Sequence, residues 1–205
     1  GWGSPGNPSA GGLSKSIDGG NTWTALNHGL PCLPVFSIAV DPQNPATLYA
    51  GTSCGVFKSR DGGSSWISSN TGITGVIEAL AIDPRNSERI YGATIEGIFQ
   101  SLDGGKTWAA SHSGWNFESV KDLAIDPQNS SVLYAGTSEG VFRSLDGGKT
   151  WMDMNRGLTN RKVAALAIDP LDPGSLYAWT DGGVFKMQIG YWATLQGGVG
   201  ISPNT

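Results

Sequence analysis

The chain has 205 residues, a formal net charge of −4 and only 15% charged side chains, and it is long enough for one domain with a substantial core. Its 13 Lys and Arg residues are scattered, which excludes the clustered basic footprint of a nucleic-acid-binding surface. No apolar run approaches the roughly 18 residues that a membrane span requires.

Glycine accounts for 31 residues, about twice the usual frequency, and without collagen periodicity this points to many tight turns. The chain opens GWGSPGNPS, with neither Met nor the charged and apolar regions of a secretory leader. It is therefore read as processed, truncated or part of something longer.

From residue 12 onward one pattern recurs. GLSKS (12–16) and TWTAL (22–26) read as two strands joined by the box SIDGGNTW (16–23). The box returns as SRDGGSSW (59–66) and as SLDGGKTW at 101–108 and 144–151, placing Asp18, Asp61, Asp103 and Asp146 at spacings of 43, 42 and 43 residues. A second motif runs in phase: IAVDPQNP (38–45), LAIDPRNS (80–87), LAIDPQNS (123–130) and LAIDPLDP (166–173). A third follows it: LYAGTSCGVFKS (48–59), IYGATIEGIFQS (90–101), LYAGTSEGVFRS (133–144) and LYAWTDGGVFKM (176–187).

Each copy predicts four short strands bounded by Pro, Gly, Asn and Asp. Strand A precedes Asp-Pro, strand B is LYAGT or its variant, strand C is GVFRS or its variant, and the box turns the chain into strand D. Four antiparallel strands every 40 to 50 residues are the signature of a propeller blade. The expected fold is an all-β propeller of about five blades, either closed or part of a larger ring. Complete blades are predicted at 33–70, 75–112 and 118–155. A blade at 163–195 has lost its box to FKMQIGYWATL, with Trp192 standing in as the strand-D anchor. Residues 1–27 together with 199–205 are expected to make the remaining blade, VGISPNT serving as its strand A. In this reading the box is scaffold: its glycines supply positive φ, its carboxylates accept local N–H and O–H groups, and Trp23, Trp66, Trp108 and Trp151 anchor strand D.

Cys32 lies just before strand A and Cys54 just after strand B of one blade. Antiparallel pairing of VFSIAV with TLYAGT brings these ends together and predicts a disulfide.

The boxes resemble the Asp-box, or BNR, repeats of sialidase-like propellers, and the fuller pattern is most similar to the repeat of sortilin-type and xyloglucanase-type propellers. Photosystem II assembly factors carry a related repeat. The resemblance covers about residues 12–195. It implies the propeller fold and a secreted, periplasmic or otherwise extracytoplasmic location. It implies little about activity, because the shared residues are the scaffold ones.

Sialidases of this kind grip a carboxylate with three arginines. Arg60, Arg85, Arg89, Arg143, Arg156 and Arg161 form no such triad in the predicted layout. A glycoside hydrolase needs paired carboxylates, for which Glu78 and Asp122 on strand A are the candidates. Two histidines, His28 and His112, and two cysteines do not make a zinc site, and no cofactor is expected.

Positions that break the repeat are the candidates for function. His112, Trp115 and Phe117 interrupt the connection SHSGWNFES (111–119), and Trp179 replaces a small residue (Gly51, Ala93, Gly136). Phe36, Glu78, Lys121 and Ala164 share one aligned strand-A position whose variety suggests a channel mouth. The expectation is a non-catalytic scaffold that binds another protein or belongs to a larger assembly. The alternative is a carbohydrate-binding propeller or a fragment of a glycoside hydrolase.

Overall fold

The structure, a computed structural model, describes residues 12–111, 119–188 and 191–195. All regular secondary structure among these residues is β. A two-stranded hairpin, β1 (Ser14–Lys15) and β2 (Thr24–Ala25), comes first. Four four-stranded antiparallel sheets follow. The first is β3 (Val35–Val40), β4 (Leu48–Thr52), β5 (Gly55–Ser59) and β6 (Ile67–Ser68); the second is β7 (Ala79–Asp83), β8 (Asn86–Thr94), β9 (Gly97–Ser101) and β10 (Ala109–Ala110). The third is β11 (Val120–Ile125), β12 (Leu133–Thr137), β13 (Gly140–Ser144) and β14 (Met152–Asp153); the fourth is β15 (Val163–Ile168), β16 (Leu176–Thr180), β17 (Gly183–Gln188) and β18 (Tyr191–Thr194). The first strands β3, β7, β11 and β15 pack side by side along the inner rim. This is the propeller architecture that the repeat predicts. The segments expected to complete the hairpin's blade, 1–6 and 199–205, lie outside the described residues.

Two strands make a marginal unit in water, and a sheet this small needs a packed face. Here the core sits between blades. Tyr49 and Val56 of the first blade pack with Ile77, Leu80, Ile90 and Trp108 of the second. Tyr91 and Ile98 meet Val120, Leu123 and Leu133 of the third. Tyr134 and Val141 meet Val163, Leu176, Phe185 and Trp192 of the fourth. Both faces of an inner sheet are thus apolar, which is why so few residues are charged.

Hydrogen bonds to backbone carbonyls lock these contacts. The indole N–H of Trp66 donates to Leu26 O at 2.8 Å and that of Trp108 to Ser69 O at 2.7 Å, each reaching the preceding unit; Trp192 donates to Met154 O in the same way. In the other direction, Tyr49 Oη donates to Gly104 O (2.8 Å) and Tyr91 Oη to Gly147 O (3.1 Å), the first glycines of the following boxes. The Asp-Pro turns add a third link: Ser87 Oγ donates to Asp41 and Ser130 Oγ to Asp83 of the preceding blade.

Three of the connections between units carry a motif that the sequence reading did not isolate, Asn-x-Gly followed by an apolar residue. Asn27, Asn70 and Asn155 accept the N–H groups of Leu13, Val56 and Val141 through Oδ1. Ile73 and Leu158 plug the blade junction, fully buried. The glycine between them has no alternative. Gly72 has φ +90, and a Cβ there would stand 2.1 Å from the carbonyl oxygen of Trp108.

Gly72→Ala is expected to lower unfolding stability by about 2 kcal/mol or more, through backbone strain plus collision. Gly75 has φ +84 with open space around it, so Gly75→Ala reports the strain alone, about 1 kcal/mol. Urea denaturation of the two variants measures the difference, and equal losses would contradict the close approach at Trp108.

Candidate functional site

The box turns are closed hydrogen-bond units. In the third box Asp103 accepts from Thr107 Oγ1 (2.6 Å), Thr107 N (2.9 Å) and Ser101 Oγ (2.8 Å), while Ser101 Oγ accepts Gly105 N. Asp18, Asp61 and Asp146 repeat the arrangement. These bonds, the Thr or Ser hydroxyl first, hold all four carboxyls from the ordinary 3.8 down to about 2. The acceptor atoms are already engaged inside the turn. Trp66 and Trp108 reach the preceding unit, whereas Trp23 and Trp151 donate to Gly20 O and Gly148 O of their own boxes.

The end of the arc opposite the boxes is built differently. The first strands of the first, third and fourth blades carry irregularities between Val35 and Ser37, Val120 and Asp122, and Val163 and Ala165. A bulge leaves one residue unpaired and re-aims its side chain. The skipped residues are Phe36, Lys121 and Ala164, and the aligned Glu78 sits immediately before β7. In three of the four blades the position that varies most along strand A is therefore the one released from the ladder, whereas the Glu78 N–H donates to Ala93 O at 2.9 Å.

At this mouth Lys121 Nζ lies 3.0 Å from Glu78 Oε2, and Ser119 Oγ donates to the same oxygen at 2.6 Å. Ser119 has φ +62, an uncommon conformation for a residue with a side chain. Phe36 is 50% exposed. The Cys32–Cys54 disulfide, at a Cα separation of 6.1 Å, ties the segment entering β3 to the turn after β4 on the same end. It is the disulfide that the pairing predicts.

The two candidate catalytic carboxylates have separate hydrogen-bond partners. Glu78 is spent on Lys121 and Ser119. Asp122 accepts the backbone N–H of Leu166 in the next blade (Oδ2, 2.7 Å) and that of Leu123 (Oδ1, 2.9 Å). Burial pushes its carboxyl above the ordinary range despite those bonds. Asp122 thus joins β11 to β15, as Ser37 joins the first blade to the second by accepting Leu80 N. Trp179 lies on β16 opposite Ala165 and is 59% exposed.

His112, Trp115 and Phe117 lie outside the described residues. In the sequence HSGW (112–115) stands where the other connections have NHGL, NTGI and NRGL. Aligned by sequence, Trp115 corresponds to Ile73 and Leu158 of the other connections. Among the described residues no cluster of three or more His, Cys, Asp or Glu side chains is arranged to hold a metal ion, and no helix is long and apolar enough to cross a membrane.

No family model matches the chain, and no curated protein matches it. Solved structures do. An ancestral GH74 enzyme superposes with a TM-score of 0.65 at 24% identity, over 78% of this chain and 24% of that one. The extracellular domain of a one-component system from B. thetaiotaomicron gives a TM-score of 0.70 at 18% identity, over 87% and 25%. The structure of YCF48 bound to D1 peptide gives 0.57 at 13% identity, over 78% and 55%. This chain spans about a quarter of the length of the first two. At these identities the likeness establishes the β-propeller fold.

The box carboxyls bind fewer protons folded than unfolded between their ordinary 3.8 and about 2. Their contribution to stability is therefore complete above about pH 4 and is lost as the pH falls toward 2. Asp103→Asn is expected to flatten that loss. Asp122, with a raised value, acts in the opposite sense. Its contribution is complete at low pH and is lost as the pH rises through the raised value, so Asp122→Asn removes a decline above the ordinary carboxylate range. Urea midpoints measured across pH separate the two; an unchanged acid limb in Asp103→Asn would contradict the assignment.

Proposed function

We propose that this chain is a binding propeller of Asp-box type, working outside the cytosol and engaging a segment of another protein at the channel mouth around Phe36, Glu78 and Lys121. The observation that carries the reading is the contrast between the two ends. At the box end, the carboxylates, hydroxyls and carbonyls of the turns are consumed in holding turns and blades together. At the mouth, bulges release a half-exposed aromatic ring, the lysine of an ion pair and an alanine from the ladder, and its partner Glu78 stands at the same aligned position just before β7. A rigid ring of strands that presents variable side chains is the arrangement of a recognition surface. Phe36 supplies an apolar anchor, and Lys121 and Glu78 supply charges of both signs for a polypeptide's backbone and side chains.

The disulfide supports an oxidising compartment. A fold neighbour that is the extracellular domain of a sensor system, and another solved with a bound peptide, fit the same reading. A second reading, a glycan-binding propeller or part of a glycoside hydrolase, is favoured by the GH74 likeness. In that reading Phe36 stacks on a sugar ring.

A photo-crosslinking side chain at position 36 is expected to trap a polypeptide in extract of the native source. Lys121→Glu should reduce that adduct about ten-fold without changing the melting temperature. Absence of any polypeptide adduct, with tryptophan fluorescence quenched by xyloglucan oligosaccharides, would transfer support to the glycan reading.

A further inference from the structure

The channel mouth changes character from blade to blade. The first strands stand side by side in chain order, so the residues at their starts form one row along the inner rim. At the first blade the row is apolar: Leu33 and Phe36, on either side of Pro34, are 41% and 50% exposed. In the middle the charges balance, with Lys121 paired to Glu78. At the fourth blade the row is cationic. Arg161 and Lys162 come just before β15, and both are exposed.

The two cations sit on a fastened segment. They lie between two buried anchors, Leu158 in the connection and Val163 in β15. The backbone N–H of Lys162 donates to Asn160 Oδ1 at 3.0 Å. Asn160 packs in turn on the turn after β16, where a Cβ on Gly182 would stand 2.8 Å from Asn160 Cβ. β15 is itself joined to β11, since Asp122 accepts the N–H of Leu166. This junction is internal to the described arc, with a complete blade on either side.

Among the described residues the ion pairs are Arg89–Asp83 and Lys121–Glu78, and neither cation takes part. Other carboxylates of this end, Glu96, Glu139 and Asp181, stand on the turns after the second strands, one row outside the rim. The chain as a whole carries a net charge of −4, so adjacent cations on the rim run against its overall sign. Ala164, the bulged residue of the fourth blade, is exposed and adds no bulk beside them. A rim that is apolar at one end and cationic at the other favours a ligand that carries an apolar group and an anionic group at the matching distance. Packed sheets lie about 10 Å apart, and an extended chain advances about 3.3 Å per residue, so the path from the first blade to the fourth takes roughly six to nine residues, the lower figure allowing for the curve of the rim.

Resting on the binding reading above, we propose that the partner segment is an extended polypeptide with an acidic end, laid along this rim. An apolar side chain sits against Leu33 and Phe36. Asp or Glu side chains, roughly six to nine residues away, sit against Arg161 and Lys162.

The test places a photo-crosslinking side chain at position 36 in one preparation and at position 164 in another, exposes each to extract of the native source, and sequences the adducts. Both sites are expected to trap one polypeptide, at points roughly six to nine residues apart, with Asp or Glu beside the position-164 adduct. Arg161→Glu with Lys162→Glu is expected to lower the yield at position 36 about ten-fold, and Arg161→Gln with Lys162→Gln to lower it less, with melting temperature unchanged in both because these side chains are exposed. Added salt should lower the yield with the native cations more than with the Gln variant. An adduct at position 36 with no acidic residue within that reach, or one whose yield withstands charge reversal, would overturn this inference and leave the binding reading standing. Absence of any polypeptide adduct at position 36 with both cations present would overturn the two together.

Discussion

A side chain of one blade donating to a backbone carbonyl of its neighbour is the interaction on which the rest of this molecule depends. None of the sheets has a face that it can bury alone, and their outer strands β6, β10 and β14 are two residues long. Apolar contact between blades supplies most of the stabilisation, on the order of 1.5–3 kcal/mol for each large side chain fully buried. That contact is not directional. Orientation comes from the indole of strand D reaching back and the tyrosine of strand B reaching forward, each net bond contributing about 1 kcal/mol. Stability of this kind is a sum over units and nearest-neighbour interfaces.

The fold was legible because scaffold chemistry repeats. SLDGGKTW appears twice without change, since the turn needs a carboxylate, two glycines at positive φ and a hydroxyl at fixed offsets. Trp192 could be read as an anchor despite the lost box, and it does reach Met154 O. The disulfide followed from strand pairing. The site was legible only in part. Asp122 looks like a candidate acid in the sequence because nothing local shows that its partner is an N–H some 44 residues further on. Phe36, Glu78 and Lys121 could be aligned, but the bulges that release Phe36 and Lys121 are a tertiary feature. The Asn-x-Gly turn was overlooked because its fixed positions are few and lie in segments of unequal composition.

These roles divide the molecule by chemistry. Residues that recur at every period satisfy backbone groups and fill junctions. Residues that vary cluster at the start of strand A, where Phe36 and Lys121 stand at positions the ladder skips and Glu78 just before its strand, with Trp179 on β16 besides. The glycoside-hydrolase and sensor-domain neighbours share the scaffold, and the scaffold is silent about what the variable positions bind.

Hydrogen exchange of the tryptophan indole N–H groups tests the carbonyl clasp most directly. The account predicts strong protection at Trp66, Trp108 and Trp192, whose indoles are bonded across a blade junction, and rapid exchange at the exposed Trp23 and Trp179. Uniform exchange at all five would mean that the blades are held by apolar contact alone, and that the repeated tryptophan is a space-filler rather than the lock.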